Sequence, residues 1–360
     1  MNDLVQTPPR SVILVKLSAI GDVCHTLPVV RALQRAWPNT RFTWIIGRTE
    51  ATFVSHLADI EFIVFDKKAG RQGRLAVKAA LNHRTFDIAL HLQFAWRASQ
   101  LMRLIKAPIK LGFDRARALD LQWLFTNQTI ASVPHQHVMD GLLEFTKRLG
   151  VTPTPLMWNI PIPPAALNYA NRMIHGYQPV LIISPCSSHP LRNWHAAGYA
   201  AVADYAATAL NMQVLLCGGR TDLEREMATS IQSLMQAPCK NLVGQDTLIE
   251  FYATLSKASV LLTPDSGPAH MATALGIPVV GLYAATNPER SGPYFSRDLC
   301  VNCFDQAAQT FLHKKASALP WRSKIEKSGV MDLITVPAVI DKLQQALQRQ
   351  QISPSTQTPA

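Results

Sequence analysis

The sequence predicts an α/β protein built as two Rossmann-like domains. Three observations predict it. The chain has 360 residues, more than one ordinary domain needs. Short apolar runs alternate with helical patterns along its length, and a proline-rich break at 151–164 divides that alternation in two.

In the first half, runs near 12–17, 41–46, 60–65 and 87–92 have the apolar density of strands buried on both faces, with helical patterns between them. An amphipathic helix follows from about His135 to Leu149. Val151 to Pro164, VTPTPLMWNIPIPP, contains five prolines and ends the pattern. The domains are therefore placed at 1–155 and 165–335, with a linker at 156–164. In the second half, strands are expected near 179–184, 212–217, 259–263 and 278–283, and helices near 196–210, 221–236, 246–257 and 267–276. A last helix is expected over 336–350, and the polar stretch 351–360 reads as a disordered tail.

The most informative stretch is Leu261 to Tyr294. An apolar strand ends at Thr263, Pro264-Asp265-Ser266-Gly267-Pro268 turns the chain, and the last proline suits the first helical position. A helix starting there aims backbone N–H groups and a positive dipole end at whatever lies beyond the strand, a place suited to phosphate. Asp265, Ser266 and His270 surround that point. Asp-Ser before a helix is also a common cap, and that alternative stays open.

Ser11 to Pro38 gives a second such element. Val12 to Leu17 reads as a core strand, Ser18-Ala19-Ile20-Gly21 turns, and Asp22 opens an amphipathic helix running to about Trp37. A carboxylate thus stands at the carboxyl end of the first strand, where open α/β sheets place ligands. Asp22 is either a general base or a helix cap. A helix N-terminus favours the charged form of a carboxyl group, whereas a general base works best with a raised pKa, so burial or substrate must offset it.

Taken together, Lys16-Leu17-Ser18-Ala19-Ile20-Gly21-Asp22-Val23 with His25-Thr26-Leu27-Pro28, Ser184-Pro185-Cys186-Ser187-Ser188 running to Arg192-Asn193-Trp194, and Asp265-Ser266-Gly267-Pro268-Ala269-His270 resemble glycosyltransferase family 9. This is the family of ADP-heptose:lipopolysaccharide heptosyltransferases. Gly329-Val330-Met331-Asp332-Leu333-Ile334 adds to the likeness, which covers most of the chain. The resemblance implies a GT-B arrangement, two Rossmann-like domains facing across a cleft. It also implies inverting transfer of heptose from ADP-heptose to the Kdo or heptose inner core of lipid A, with Asp22 as base. A family member using another nucleotide sugar or core position, and a non-catalytic binder of sugar nucleotides or polyanions, are the alternatives.

For the donor, Ser187 and Ser188 follow a strand and precede a helix, a place for phosphate oxygens. Arg192 is a mobile charged donor where the family commonly has lysine, and Gly267 joins Asp265, Ser266 and His270 at the phosphate helix. Asp222 or Glu224 could meet the adenosine, or could only compensate a helix dipole; Leu242 could wall the adenine or belong to the core.

The formal net charge of +11 favours an anionic partner. No zinc-finger spacing, RRM signature or basic zipper occurs, which argues against nucleic acid. An acidic glycolipid at an anionic inner-membrane surface explains the charge as well. The best local candidate is a loop, Asp66 to Arg74, with Lys67, Lys68, Arg71 and Arg74; the resemblance implies contact there with a phosphorylated acceptor. Arg97, Arg103, Arg115 and Arg117 would extend the surface, and Ser18, Gln93, Arg97 and His137 are further acceptor-side candidates. No obligate protein partner is expected.

No apolar stretch spans a membrane and no signal-peptide core occurs near the start, so a cytoplasmic, peripherally membrane-associated protein is expected. The six cysteines read mostly as buried thiols, and Cys300-Val301-Asn302-Cys303 has no second pair to complete a metal site. There is no G-x-G-x-x-G, no G-x-x-x-x-G-K-[ST] and no D-x-D. Nicotinamide and P-loop chemistry are disfavoured, no cofactor or metal is expected, and leaving-group charge falls to Arg192 and the helix after Ser266.

Overall fold

The first strand, Ser11–Val15 (β1), buries Val12 to Val15 completely, as an interior strand of a parallel sheet must. In the computed structural model, which describes residues 4–352, two compact units divide at Pro161 and Ile162. The first unit continues from β1 through α1 (Ile20–Ala36), β2 (Arg41–Gly47), α2 (Arg48–Val54), β3 (Glu61–Phe65), α3 (Gly70–Ala80) and β4 (Ile88–His91). It ends with α4 (Trp96–Met102), β5 (Ile109–Gly112), β6 (Gln128–Thr129) and α5 (Val138–Arg148). The strands lie in the order β3-β2-β1-β4-β5-β6, all parallel.

The second unit repeats the plan. It runs α6 (Pro164–Met173), β7 (Val180–Ile183), α7 (Ala196–Thr208), β8 (Gln213–Leu216), α8 (Asp222–Leu234), β9 (Lys240–Asn241) and α9 (Leu248–Leu255). Then come β10 (Val260–Pro264), α10 (Gly267–Leu275), β11 (Val279–Tyr283), α11 (Pro288–Ser291), β12 (Val301–Asn302), α12 (Phe304–Leu312) and α13 (Val336–Ile352). The order β12-β11-β10-β7-β8-β9 is the winding of the first sheet read from its other edge. Each unit therefore lays down three strands in one direction and then returns to the middle. The return opens a switch point between β1 and β4 in one unit and between β7 and β10 in the other.

The two α/β units and their eight apolar strands are those the sequence predicts. The strands β5, β6, β9 and β12 are additions: β5 is only half apolar and partly buried, and the other three are two residues each, too short to carry a readable period. The expected basic loop at 66–74 is helical instead: Asp66 Oδ1 accepts the Lys68 N–H at 2.9 Å, capping a 3₁₀ turn over Lys67–Ala69, and Gly70, at φ +53°, leads into α3. Gly73 and Val77 form its buried stripe, one turn apart, behind the charges. The proline-rich segment packs on α1, with Trp158 Nε1 donating to the Cys24 carbonyl at 2.7 Å and Arg31 Nε to the Trp158 carbonyl at 3.1 Å. The tail expected as disordered lies, from residue 353 onward, outside the described residues.

One core contact positions the site directly. Trp194 is fully buried, donates from Nε1 to the Ile334 carbonyl at 3.1 Å, and ends the loop that carries Arg192 and Asn193. Gly198, in the first turn of α7, lies against its ring, and a Cβ there would come within 2.4 Å of it. Glycine to alanine in a helix ordinarily stabilises by about 1 kcal/mol. Here the sign reverses: Gly198→Ala is expected to destabilise the protein by about 1–3 kcal/mol through overpacking. Calorimetric melting checks this, and an unchanged or raised melting temperature would show that the indole can move aside.

Candidate active site

At the first switch point the ends of β1 and β4 are stitched together by side chains. Leu92 N–H donates to the Val15 carbonyl at 3.1 Å. Gln93 Oε1 then accepts the Leu17 and Ser18 N–H groups at 2.5 and 3.3 Å, and its Nε2 donates to Ser18 Oγ at 3.2 Å. Gln93 and Ser18 thus form one turn. Gln122, fully buried, backs it: its Nε2 donates to the His91 and Gln93 carbonyls at 3.0 Å each, and its Oε1 accepts the Phe113 N–H at 3.2 Å. Gly47 N–H donates to the Leu17 carbonyl at 3.0 Å, and a Cβ at Gly47 would lie 2.3 Å from that oxygen, so only glycine lets β2 approach.

Asp22 is the third residue of α1. Its Oδ2 accepts the Ala19 N–H at 3.2 Å and meets Lys16 Nζ at 3.2 Å. It is therefore a cap, and it also carries its charge beside a buried ammonium: the Lys16 side chain is 6 % exposed and that of Asp22 36 %. Both contacts fall on one carboxylate oxygen. His91, at the end of β4, is buried with Nε2 3.0 Å from Ser99 Oγ; burial, with the Lys16 charge second, pushes its imidazole down to about 3, so it stays neutral.

The acceptor-side residues separate. Lys67, Lys68, Arg71 and Arg74 are exposed on the 3₁₀ turn and α3, and Arg97 is exposed on α4. Arg74 Nη1 donates to Gln100 Oε1 at 3.0 Å. His137 is instead buried: it caps α5, Nδ1 accepting the Met139 N–H at 3.1 Å, with its ring edge-on to His25 at 5.5 Å. The expected helix start at His135 had put it inside the helix rather than under it. Arg117 is ion-paired to Asp114, so it does not extend the basic surface as Arg103 and Arg115 do.

At the second switch point, Ser184 N–H donates to the Leu262 carbonyl at 3.0 Å, and Thr263 Oγ1 donates to the Ser184 carbonyl at 2.8 Å. Ser266 occupies the N-cap position of α10 but does not cap it. Its Oγ lies 2.8 Å from Thr263 Oγ1, and Asp265 Oδ2 accepts from Ser291 Oγ at 3.2 Å. The helix therefore begins at Gly267 and Pro268 with no side-chain cap, which removes the capping alternative. His270 is buried on the next residue but one. Ser187 is buried, its N–H donating to Asn193 Oδ1 at 2.7 Å and its Oγ to the His189 carbonyl at 3.0 Å, while Ser188 is exposed.

Arg192 is not the free, mobile donor expected. Its Nε and Nη2 both bond Glu326 Oε1, at 2.7 and 2.5 Å, and His189 Nε2 is 3.9 Å from the other oxygen. Lys324 lies in the same field: burial first, then Arg192 and Arg290, push its ammonium below the usual lysine range, with Glu326 and Asp265 opposing. Sequence reading missed Lys324 and Glu326. The signal was the alternation Lys324-Ile325-Glu326 around a buried isoleucine whose N–H donates to the Ala285 carbonyl at 2.8 Å. Lys16 was also given no role, although it stood in the motif.

The remaining donor candidates make local contacts within the second unit. Glu224 closes a capping box, accepting the Gly219 N–H at 2.7 Å and the Thr221 hydroxyl at 2.6 Å, while Asp222 is 91 % exposed with Arg225 at 3.7 Å. Leu242 is buried in the core, its N–H bonded to the Leu216 carbonyl at 2.8 Å. The six cysteines are free thiols; Cys300 and Cys303 turn to different carbonyls, those of Ser296 and Leu333.

The family model of glycosyltransferase family 9 (heptosyltransferase) matches residues 74–321. The lipopolysaccharide core heptosyltransferase OpsX of Haemophilus influenzae is 38% identical over 93% of this chain and 96% of its own. Among solved structures, the family 9 glycosyl transferase of Veillonella parvula covers 97% of this chain and 100% of its own, with a TM-score of 0.80 at 23% identity. Heptosyltransferase WaaC of Escherichia coli with ADP covers 93% and 99%, with a TM-score of 0.73 at 21% identity. The two doubly wound units are thus those of GT-B heptosyltransferase structures, and the chain belongs to glycosyltransferase family 9, the heptosyltransferases.

Proposed function

We propose that the protein transfers heptose from ADP-heptose to the Kdo or heptose of the lipid A inner core, with inversion at the anomeric carbon, at the cytoplasmic surface of the inner membrane. The observation that carries the reading is the paired layout of the two switch points. One ends in a carboxylate held by a buried ammonium, and the other in a helix whose first turn no side chain caps. OpsX, by name a lipopolysaccharide core heptosyltransferase, and WaaC, solved with ADP, support the acceptor and the nucleotide.

In this mechanism Lys16 and the Ala19 N–H hold Asp22 by Oδ2, leaving Oδ1 to take the proton of the acceptor hydroxyl. The hydroxyl oxygen forms its bond to the anomeric carbon as the bond to the ADP oxygen breaks on the opposite face. One displacement inverts the centre and needs no covalent intermediate. The departing diphosphate gains charge, which the start of α10 and the Arg192–Lys324 pair of cations meet. Asp265, Ser266, Gly267, His270, Ser187 and Ser188 frame the donor, and Ser18, Gln93, Lys67, Lys68, Arg71, Arg74 and Arg97 serve the acceptor. Among the described residues no helix is long and apolar enough to cross a membrane.

Asp22→Asn is expected to keep the melting temperature and ADP affinity while lowering turnover by at least about a hundredfold, the low end for a general base. Turnover on purified lipid A acceptor measures it, and a folded variant with near-normal turnover would remove Asp22 from the role. Glu326 gives a second expectation. If the donor diphosphate must take Arg192 from Glu326, then Glu326→Gln tightens ADP binding several-fold, toward about tenfold or 1.4 kcal/mol, whereas Arg192→Ala and His270→Ala weaken it. Calorimetry decides; weaker binding by Glu326→Gln would mean that Glu326 orients Arg192 for the nucleotide instead of competing with it.

A further inference from the structure

The positive charge of this chain is concentrated. Residues 67–125 carry twelve Lys and Arg against three Asp, so nine of the eleven net charges fall there. The same stretch holds six of the thirteen exposed large apolar side chains among the described residues: Leu75, Trp96, Leu119, Leu121, Trp123 and Leu124, each 37–56 % exposed. Apolar groups gathered on a charged surface mark an interaction site, not scatter.

The turn that bears most of them is built to hold them out. Asp120 and Leu121 have φ of +49° and +56°, and Asp120 Oδ2 accepts the Trp96 N–H at 3.0 Å, tying the turn to the start of α4. Gln122 points inward to the carbonyls of His91 and Gln93, which sets its neighbours Leu121 and Trp123 at the surface. Trp96 rests edge-on against Phe125 with ring centres 5.6 Å apart, and the Arg115 guanidinium stacks 3.8 Å from the centre of the Trp123 ring. Between α3, α4 and the turn lies a cavity of about 360 Å³ lined by Arg71, Arg74, Lys78 and Arg103, with Trp96 and Phe125 on its wall and no acidic residue.

We propose that this surface docks on an anionic phospholipid bilayer. Leu121, Trp123 and Leu124 enter the interface, and the cavity of Arg71, Arg74, Lys78 and Arg103 receives a lipid phosphate. Charge complementarity and apolar exposure select the partner together: a nucleic acid would satisfy the cations and leave the leucines in water, whereas a bilayer interface takes both. The inference deepens the membrane reading above and rests on it for the choice of a bilayer as partner.

The test sediments the full-length protein with vesicles of phosphatidylethanolamine and phosphatidylglycerol, against vesicles of phosphatidylcholine alone. The wild type is expected to bind the anionic vesicles, and brominated lipids are expected to quench its tryptophan emission. Leu121→Asn/Trp123→Ser/Leu124→Ser should lose at least about tenfold in partition, with ADP affinity unchanged. Should that variant fold poorly, Leu124→Ser alone, at the most exposed position, should lose several-fold. Replacing Arg71, Arg74, Lys78 and Arg103 by Gln should cost about fivefold per charge at low salt. If the wild type binds and both wedge variants bind equally well, this surface is wrong and the membrane reading stands. If the wild type ignores anionic vesicles, or prefers a DNA duplex to them, both fall.

Discussion

Both candidate sites of the proposed transfer depend on one topological constraint, the reversal of winding in a six-stranded parallel sheet. Where the chain returns to the middle, the segments leaving the two central strands depart to opposite faces and cannot pair with each other. The backbone groups just beyond the strand ends must then be satisfied by something else. In the first unit Gln93 and Gln122 do this, so the turn after β1 is fixed by carboxamides and not by continuing the sheet. In the second, Thr263 Oγ1 donates to the Ser184 carbonyl and pairs with Ser266 Oγ. That arrangement takes the serine away from the cap that its position would otherwise make.

The consequence is a pair of candidate sites whose charges are matched by internal partners. Lys16 is buried and would be costly without a counter-charge, so it and Asp22 fix one another. Arg192 is likewise held, by Glu326, on a loop that Trp194 anchors to the core. An internal ion pair of this kind has two effects. It holds the charged side chain near its working place, and it sets a threshold, because a ligand must replace the interaction it displaces. A diphosphate, with two or more negative charges and many acceptor oxygens, can do so where a neutral sugar cannot.

How much of this was legible follows from distance along the chain. The central strands were legible because each is a run of apolar residues buried on both faces, and Asp22 was legible because strand, turn and carboxylate lie within a dozen residues. The edge strands were not, since β9 and β12 are two residues each and are defined by their neighbours. The basic segment at 66–74 looked like a loop because Gly70, Gly73 and a run of charges hid a helix whose buried stripe is only Gly73 and Val77. Leu242 and His137 lie in the core, a placement that depends on packing across the unit and not on local pattern. The partner of Arg192 was illegible for a similar reason, since Glu326 is 134 residues away and reaches the arginine only once Ile325 is pinned against Ala285.

The same physics accounts for the asymmetry between the two units. Transfer between a soluble nucleotide sugar and a lipid-borne acceptor asks different things of the two binding surfaces. On the proposed reading the nucleotide reaches the second unit by diffusion and is recognised by short-range contacts, so that unit needs no long-range field, and Arg192 and Lys324 there sit in or beside an ion pair. A lipid-borne acceptor is confined to a surface, and finding it is first a matter of staying near that surface. A field of exposed cations does this over about a Debye length, roughly 8 Å at physiological salt, and apolar side chains add depth once contact is made. Concentrating the charge in residues 67–125 leaves the remainder of the chain nearly neutral. On the proposed reading, the rest of the chain is thereby spared a field that would draw it, too, to an anionic surface.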